Sequence, residues 1–440
     1  MKKFWVVLVV VAMTCMSSMA FAADIAVSGS IDFRMRNLVN IDLNDTGVHD
    51  NNNVTNERVR LNIDAKAGDA LSGRISIEND WDTWGRFETV QANAAGGTGP
   101  FLRLREAWIG FKVPGAPVGV KGGHMLLQLG NAWFFRSMKY GSDAWVVYTD
   151  IDALHLGIVD IKVSEGVATV ADDVDAYAFV ATYKLSDTMS AGLNFTTISD
   201  RNGIGMTSFY AAAPATNYIP GATGFENANI QNLGVHFSGK VGPIKLNAEI
   251  DQQMGDATTG GTKVKFKGNQ VVLQGNMALD PVTLNATLAR GSGEKASAAP
   301  ALGGKNVKEY IALLDSDTHY TVVYEYLLKT AARESFKATG TGFGNTTAVS
   351  VGAGFNVSKN LMIGADIWWL AATEKVVNGA GDEVSDLGLE IDAKVNWKLY
   401  ENLSLNTSIG YFMPGDAYKI SATQDADAAR AIQSVLSFRF

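Results

Sequence analysis

The feature that most constrains this chain is a two-residue rhythm of apolar and polar side chains, sustained over strand-length segments. Leu387, Leu389, Ile391, Ala393, Val395, Trp397 and Leu399 alternate with Glu390, Asp392, Lys394, Asn396 and Lys398. Ile244, Leu246, Ala248 and Ile250 alternate in the same way with Lys245, Asn247, Glu249 and Asp251. A period of two puts the sets on opposite faces of a β-strand. Tight turns at Pro114-Gly115-Ala116-Pro117, Ser186-Asp187-Thr188, Gly242-Pro243, Asp280-Pro281, Ser358-Lys359-Asn360 and Glu401-Asn402 take turns with long polar connections. A sandwich gives no reason for short and long connections in strict succession. A membrane-spanning antiparallel β-barrel does, with short turns at its periplasmic end and long loops outside. Charged residues on the second face of strand after strand fit a wet lumen.

About seventeen strands are clear in the pattern, and a barrel with both ends in the periplasm needs an even number. The missing strand is placed in Trp145 to Val163, as a strand down to about Thr149, a turn near Asp152 and a strand up from about Leu154. The expectation is an all-β barrel of about 18 strands, with 16 as the alternative. Residues 291–345 form the longest irregular stretch. Within it Thr318 to Ser335 reads equally as a helix or as an extra hairpin strand.

The two ends add their own signals. Lys2 and Lys3, the apolar run Phe4 to Met13 and Ala20-Phe21-Ala22 read as a secretory signal peptide over residues 1–22, followed by one barrel domain over 23–440. At the other end Ile432, Leu436, Phe438 and Phe440 share one parity, against Gln433, Ser437 and Arg439. That ending resembles the C-terminal aromatic signature of Gram-negative outer-membrane proteins, with Phe440 and Phe438 as the signal read by the barrel-assembly machinery. Leu104 to Pro117 is similar to a strand and turn of porins from delta-type proteobacteria. The whole pattern resembles the outer-membrane porins. The resemblance implies passive diffusion of small hydrophilic solutes and ions through a homotrimer of water-filled channels, set among outer-membrane lipid and lipopolysaccharide. Other readings of such a barrel are a substrate-specific channel and a closed structural or adhesive one.

Composition removes several other classes. The only cysteine, Cys15, lies in the leader, so thiol chemistry is absent from the remainder. The formal charge is −8 with no basic tract, which argues against nucleic acid. His49, His124, His155, His236 and His319 are scattered without zinc spacing, and Gly255 to Gly261 lacks the Lys-Ser/Thr of a phosphate loop. Asp42 to Gly47 faintly resembles a calcium loop, but its twelfth position is Asn53 rather than Glu. No catalytic residue, cofactor or metal is expected.

The informative cluster is basic. Arg34 and Arg36, Arg58 and Arg60, and Arg74 fall on the polar faces of three successive strands. Arg103 and Arg105 belong to the next, where their parity conflicts with Ala107, Ile109 and Phe111, so a β-bulge is expected between them. With neighbouring strands about 5 Å apart, these guanidinium groups form a ladder up one inner wall. Asp32, Glu57, Asp64, Glu78 and Glu106 are available as acidic partners. The resemblance to porins adds an inward third loop, about Asn131 to Asp143, whose Arg136, Lys139 and Asp143 are constriction candidates. Trp81, Trp84, Tyr148, Trp368, Trp369, Trp397, Tyr400, Tyr411 and Phe412 stand near strand ends, where aromatic rings favour the membrane interface.

Overall fold

Alternation becomes geometry in the computed structural model, which describes residues 23–44, 51–79, 81–84, 102–165, 173–201, 226–259, 261–294, 306–314, 320–325 and 342–440. The leader, His319 and most of 318–335 lie outside the described residues, as do 45–50 of the calcium-like stretch. Eighteen antiparallel strands form the wall. They are β1 (Asp24–Val39), β2 (Asn51–Ala67), β3 (Leu71–Asn79), β4 (Leu102–Lys112), β5 (Val118–Gln128) and β6 (Phe135–Ile151). Next come β7 (Leu154–Ser164), β8 (Val174–Ser186), β9 (Met189–Asp200), β10 (Glu226–Val241), β11 (Ile244–Thr259) and β12 (Asn269–Leu279). The wall is completed by β13 (Val282–Gly291), β14 (Thr346–Ser358), β15 (Leu361–Val377), β16 (Glu383–Tyr400), β17 (Leu403–Pro414) and β18 (Ala429–Arg439). The strand pair expected in Trp145 to Val163 is β6 and β7, with Asp152 in the turn.

Each strand pairs with its sequence neighbours, and β1 pairs with β18 from Ser30 opposite Arg439 to Val39 opposite Arg430, which closes the sheet. Phe440 extends the seam: its N–H donates to the Gly29 carbonyl at 3.2 Å, and its carbonyl accepts from the Gly29 N–H at 2.8 Å. Glycine is required at position 29, because a Cβ there would stand 2.6 Å from the Phe440 ring and 2.5 Å from the Arg60 carbonyl oxygen.

The outer surface carries Ile25, Val27, Ile109, Trp145, Ile158, Val235, Ile250, Trp369, Trp397, Tyr411 and Phe438, all exposed. So much contiguous apolar surface is unfavourable in water and suits lipid, where a closed barrel leaves no unpaired strand edge. Among the described residues no helix is long and apolar enough to cross a membrane. The inner face carries Ser30, Asp32, Arg34, Ser76, Glu78, Asn194, Asn232, Asp251 and Glu390, all buried. Two apolar clusters also lie inside. One, around Phe134, Phe266 and Ile311, sits between the β5–β11 wall and the connection after β13. The other, around Tyr324, Phe343, Trp368 and Phe412, packs that same connection against β14–β17.

Candidate functional site in the barrel lumen

The arginine ladder forms because β1 to β4 keep their register, and because one irregularity corrects the phase of β4. Ser76 faces Glu106 while Ile77 faces Leu104, so Arg105 is the extra residue of a bulge. The bulge lets Arg103, Arg105, Glu106 and Trp108 turn inward while Leu102, Leu104, Ile109 and Phe111 turn outward. Around it, Glu78 accepts from Arg60 at 2.6 Å and lies 3.8 Å from Arg103 and 3.6 Å from Arg105. Glu106 lies 3.8 Å from Arg105 and 3.4 Å from Arg74, and Arg74 also pairs with Asp64 at 2.7 Å. This lower half is a closed charge network.

The upper half is held differently. Arg58 pairs with Asp32 at 3.2 Å. Arg34 and Arg36 donate to one neutral acceptor, the Asn56 Oδ1, at 3.2 and 3.5 Å. The Asn56 Nδ2 donates to the Trp81 carbonyl and to Thr83 Oγ1. The Arg34 and Arg58 guanidinium carbons stand 3.9 and 4.2 Å from the centre of the Trp81 ring. Trp81 reaches this place through a backbone φ of +52°, a conformation that bulky residues rarely adopt. It is therefore a lumen residue and not an interfacial one, which corrects the expectation from its place near a strand end. Trp84 does turn outward, against Phe33, and donates to Glu57, which removes Glu57 from the inner wall.

Across from the ladder, two connections fold inward. The first, Leu129–Phe134, is shorter than expected. Arg136, Lys139 and Asp143 belong to strand β6, and their placement in a constriction loop is corrected. The pairing jumps from Met125 opposite Ser142 to Leu127 opposite Ser137, so residues 138–141 bulge within the strand and interrupt its alternation. Asp143 is exposed and holds His124 at 2.8 Å. The short loop still crosses inward: Asn131 donates through its side chain to the carbonyls of Phe237 and Ala248, and its N–H donates to Glu249.

The second is the connection after β13. Its segment 306–314 docks on one wall, with Leu313 and Leu314 beside Phe135 and Arg136, and with Gln253 hydrogen-bonded to both the carbonyl and the N–H of Ile311. Its segment 320–325 docks on the opposite wall. There a single carboxylate, Glu390, accepts the N–H groups of Val322, Val323 and Tyr324 at 2.8, 2.6 and 2.7 Å. Tyr320 stacks on Phe343 at 4.4 Å and lies 5.4 Å from Trp368, and burial pushes its phenol pKa well up. Trp368 and Phe412 thus serve as inner supports, although they also stand near strand ends. A cavity of about 440 Å³ remains between Arg34, Arg36, Arg58 and Trp81 on one side and Thr321, Asp366, Asp392 and Lys394 on the other. Lys394 pairs with Asp366 at 2.8 Å. Basic and acidic side chains therefore face each other across this cavity.

The residues that sequence reading missed are Asn56, Trp81, Asn131, Gln253, Tyr320 and Glu390. Gln253 and Glu390 share the inward parity of their strands with other polar residues, and nothing in their spacing marks them as loop anchors.

No family model matches the chain, and no curated protein matches its sequence. Solved structures do match its shape. OccAB4 of Acinetobacter baumannii aligns with TM-score 0.57 at 9% identity, over 96% of this chain and 99% of that one. A BenF-like porin of Pseudomonas fluorescens Pf-5 aligns with TM-score 0.56 at 11% identity, over 95% and 98%. OccK2 (OpdF) of Pseudomonas aeruginosa, in complex with glucuronate, aligns with TM-score 0.55 at 12% identity, over 95% and 96%. At such identities the likeness is one of fold: this chain has the barrel architecture of Gram-negative outer-membrane porins.

Proposed function

We propose that the protein is an outer-membrane channel through which small hydrophilic solutes diffuse passively, with a preference for anions. One observation carries this reading: Arg34, Arg36 and Arg58 line one side of the 440 Å³ cavity left between the ladder and the inward connection. Passive flow needs no cofactor and no catalytic group. The pore-lining set is then Arg34, Arg36, Arg58, Arg60, Arg74, Arg103 and Arg105 with Glu78 and Glu106.

Two narrowing loops favour a channel that selects among solutes over a wide sieve, and the glucuronate complex of a structural neighbour is consistent with an anionic permeant. Export by the leader 1–22, assembly through Phe438 and Phe440, a homotrimer among lipid and lipopolysaccharide, and the narrower likeness to delta-type porins at Leu104 to Pro117 complete the proposal. Conductance in a planar bilayer under a KCl gradient tests it. A reversal potential of anion-selective sign is expected; a cation-selective sign overturns the preference, and silence from folded protein overturns the channel.

A further inference from the structure

On the wall opposite the ladder, strands β9 to β12 bring together a second polar cluster that the channel reading does not use. Asn194 faces Gly234, Gly234 faces Asp251, and Asp251 faces Gln270, in one row across four strands. Glu249 lies one inward position along β11, opposite His236, and Asn232 lies one inward position along β10. Asn194, Asn232, Asp251 and Gln270 are fully buried and Glu249 is 1% exposed.

Two carboxylates therefore sit side by side out of water. Neither has an ion-pair partner among the described residues. Asp251 accepts from Asn232 Nδ2 at 2.8 Å and Gln270 Nε2 at 2.9 Å, and Glu249 accepts from the Asn131 N–H. Neutral donors of this kind soften the burial of two negative charges but do not cancel it.

Oxygen atoms remain unused around the pair. Among the described residues, Asn194 has no hydrogen-bond partner at either amide atom, and Glu249 Oε1 and Asn232 Oδ1 also lack one. Asn194 is aimed at the carboxylates. The position that a Cβ on Gly234 would take lies 2.6 Å from Asp251 Oδ1 and 2.7 and 2.8 Å from the two Asn194 amide atoms. The corresponding position at Gly130, in the loop above, lies 2.8 Å from Glu249 Oε2 and 3.2 Å from Asn194 Nδ2. Two glycines thus let a carboxamide and two carboxylates pack against the backbone, where they converge. Carboxylate and amide oxygens without thiolate or imidazole are the donors that hard cations take.

We propose that Glu249, Asp251 and Asn194 form a binding site for a hard divalent cation, with Ca²⁺ as the fitting ion, which fastens the Leu129–Phe134 loop to the β9–β12 wall. The test uses folded, chelator-stripped protein in detergent, with Ca²⁺ itself as the probe in equilibrium dialysis and in thermal unfolding followed by circular dichroism. One Ca²⁺ per chain and a Ca²⁺-dependent rise in melting temperature are expected, as for any ligand that binds only the folded state. Asp251→Asn and Glu249→Gln should each weaken binding by about tenfold or more through the lost ligand charge. Asn194→Leu removes a neutral ligand and keeps both carboxylates, so it tests the site even where a charge variant fails to fold. Retention of full Ca²⁺ affinity by Asn194→Leu overturns the proposal. So does wild-type protein that binds no more Ca²⁺ than Asp251→Asn, which would leave the carboxylates to share a proton.

Discussion

Neighbouring arginines on one wall do different work, because their partners differ. Arg36 donates to the neutral Asn56 amide, a contact that leaves its charge uncancelled, whereas Arg60 is bound at 2.6 Å to the fully buried Glu78. Arg36→Gln should therefore lower the anion-to-cation permeability ratio by about twofold, read from reversal potentials, with little change in stability. Arg60→Gln should act chiefly on stability, at about 1–3 kcal/mol, because it strips a buried acceptor of its strongest donor. Equal losses of stability in the two variants would contradict this division. The inward set of arginines was legible from parity alone, as was the bulge at Arg105. The division of labour was not, since it depends on Asn56 and Trp81, which meet only when the chain after β3 turns back over the ladder.

Among the elements, strands were readable and inward loops were not. A strand records its environment in every second residue, so β6 and β7 could be placed even where the pattern was weak. A loop that docks inside a barrel leaves no such record. Its anchors, Gln253 and Glu390, belong to the wall and merely continue the polar parity of β11 and β16. Glu390 is the sharper case, since its carboxylate satisfies three successive N–H groups. Glu390→Ala should leave those donors unpaired, at about 1–3 kcal/mol each, and release segment 320–325 from the wall. The expected readout is a larger and noisier single-channel conductance; unchanged current records would show that the loop is held by Tyr320 and Phe343 instead. At the seam, Gly29→Val should push the Phe440 ring off β1 and reduce the yield of folded barrel, scored by protease resistance in membranes.

For the whole molecule, the even count of strands, the closed seam and the two-faced wall follow from alternation, and the fold was legible to that extent. The lumen has a less obvious organisation. The ladder occupies β1 to β4, the carboxylate pair Glu249 and Asp251 occupies the β9–β12 wall, and segments 306–314 and 320–325 of the connection after β13 dock on β6–β11 and on β15–β17. That connection is fixed to both walls it meets, through Ile311 on one and Val322 to Tyr324 on the other. In mechanical terms each docked segment is a stiffener fixed to the inside of a hoop. An open cylinder flattens under lateral load, but one stiffened along its inside resists becoming oval. The bore of this barrel should accordingly keep its size when the surrounding bilayer is thinned or stretched, and conductance should hardly change across lipids of different chain length. With Glu390 replaced by alanine one stiffener is released, and the same series of lipids should then change the current.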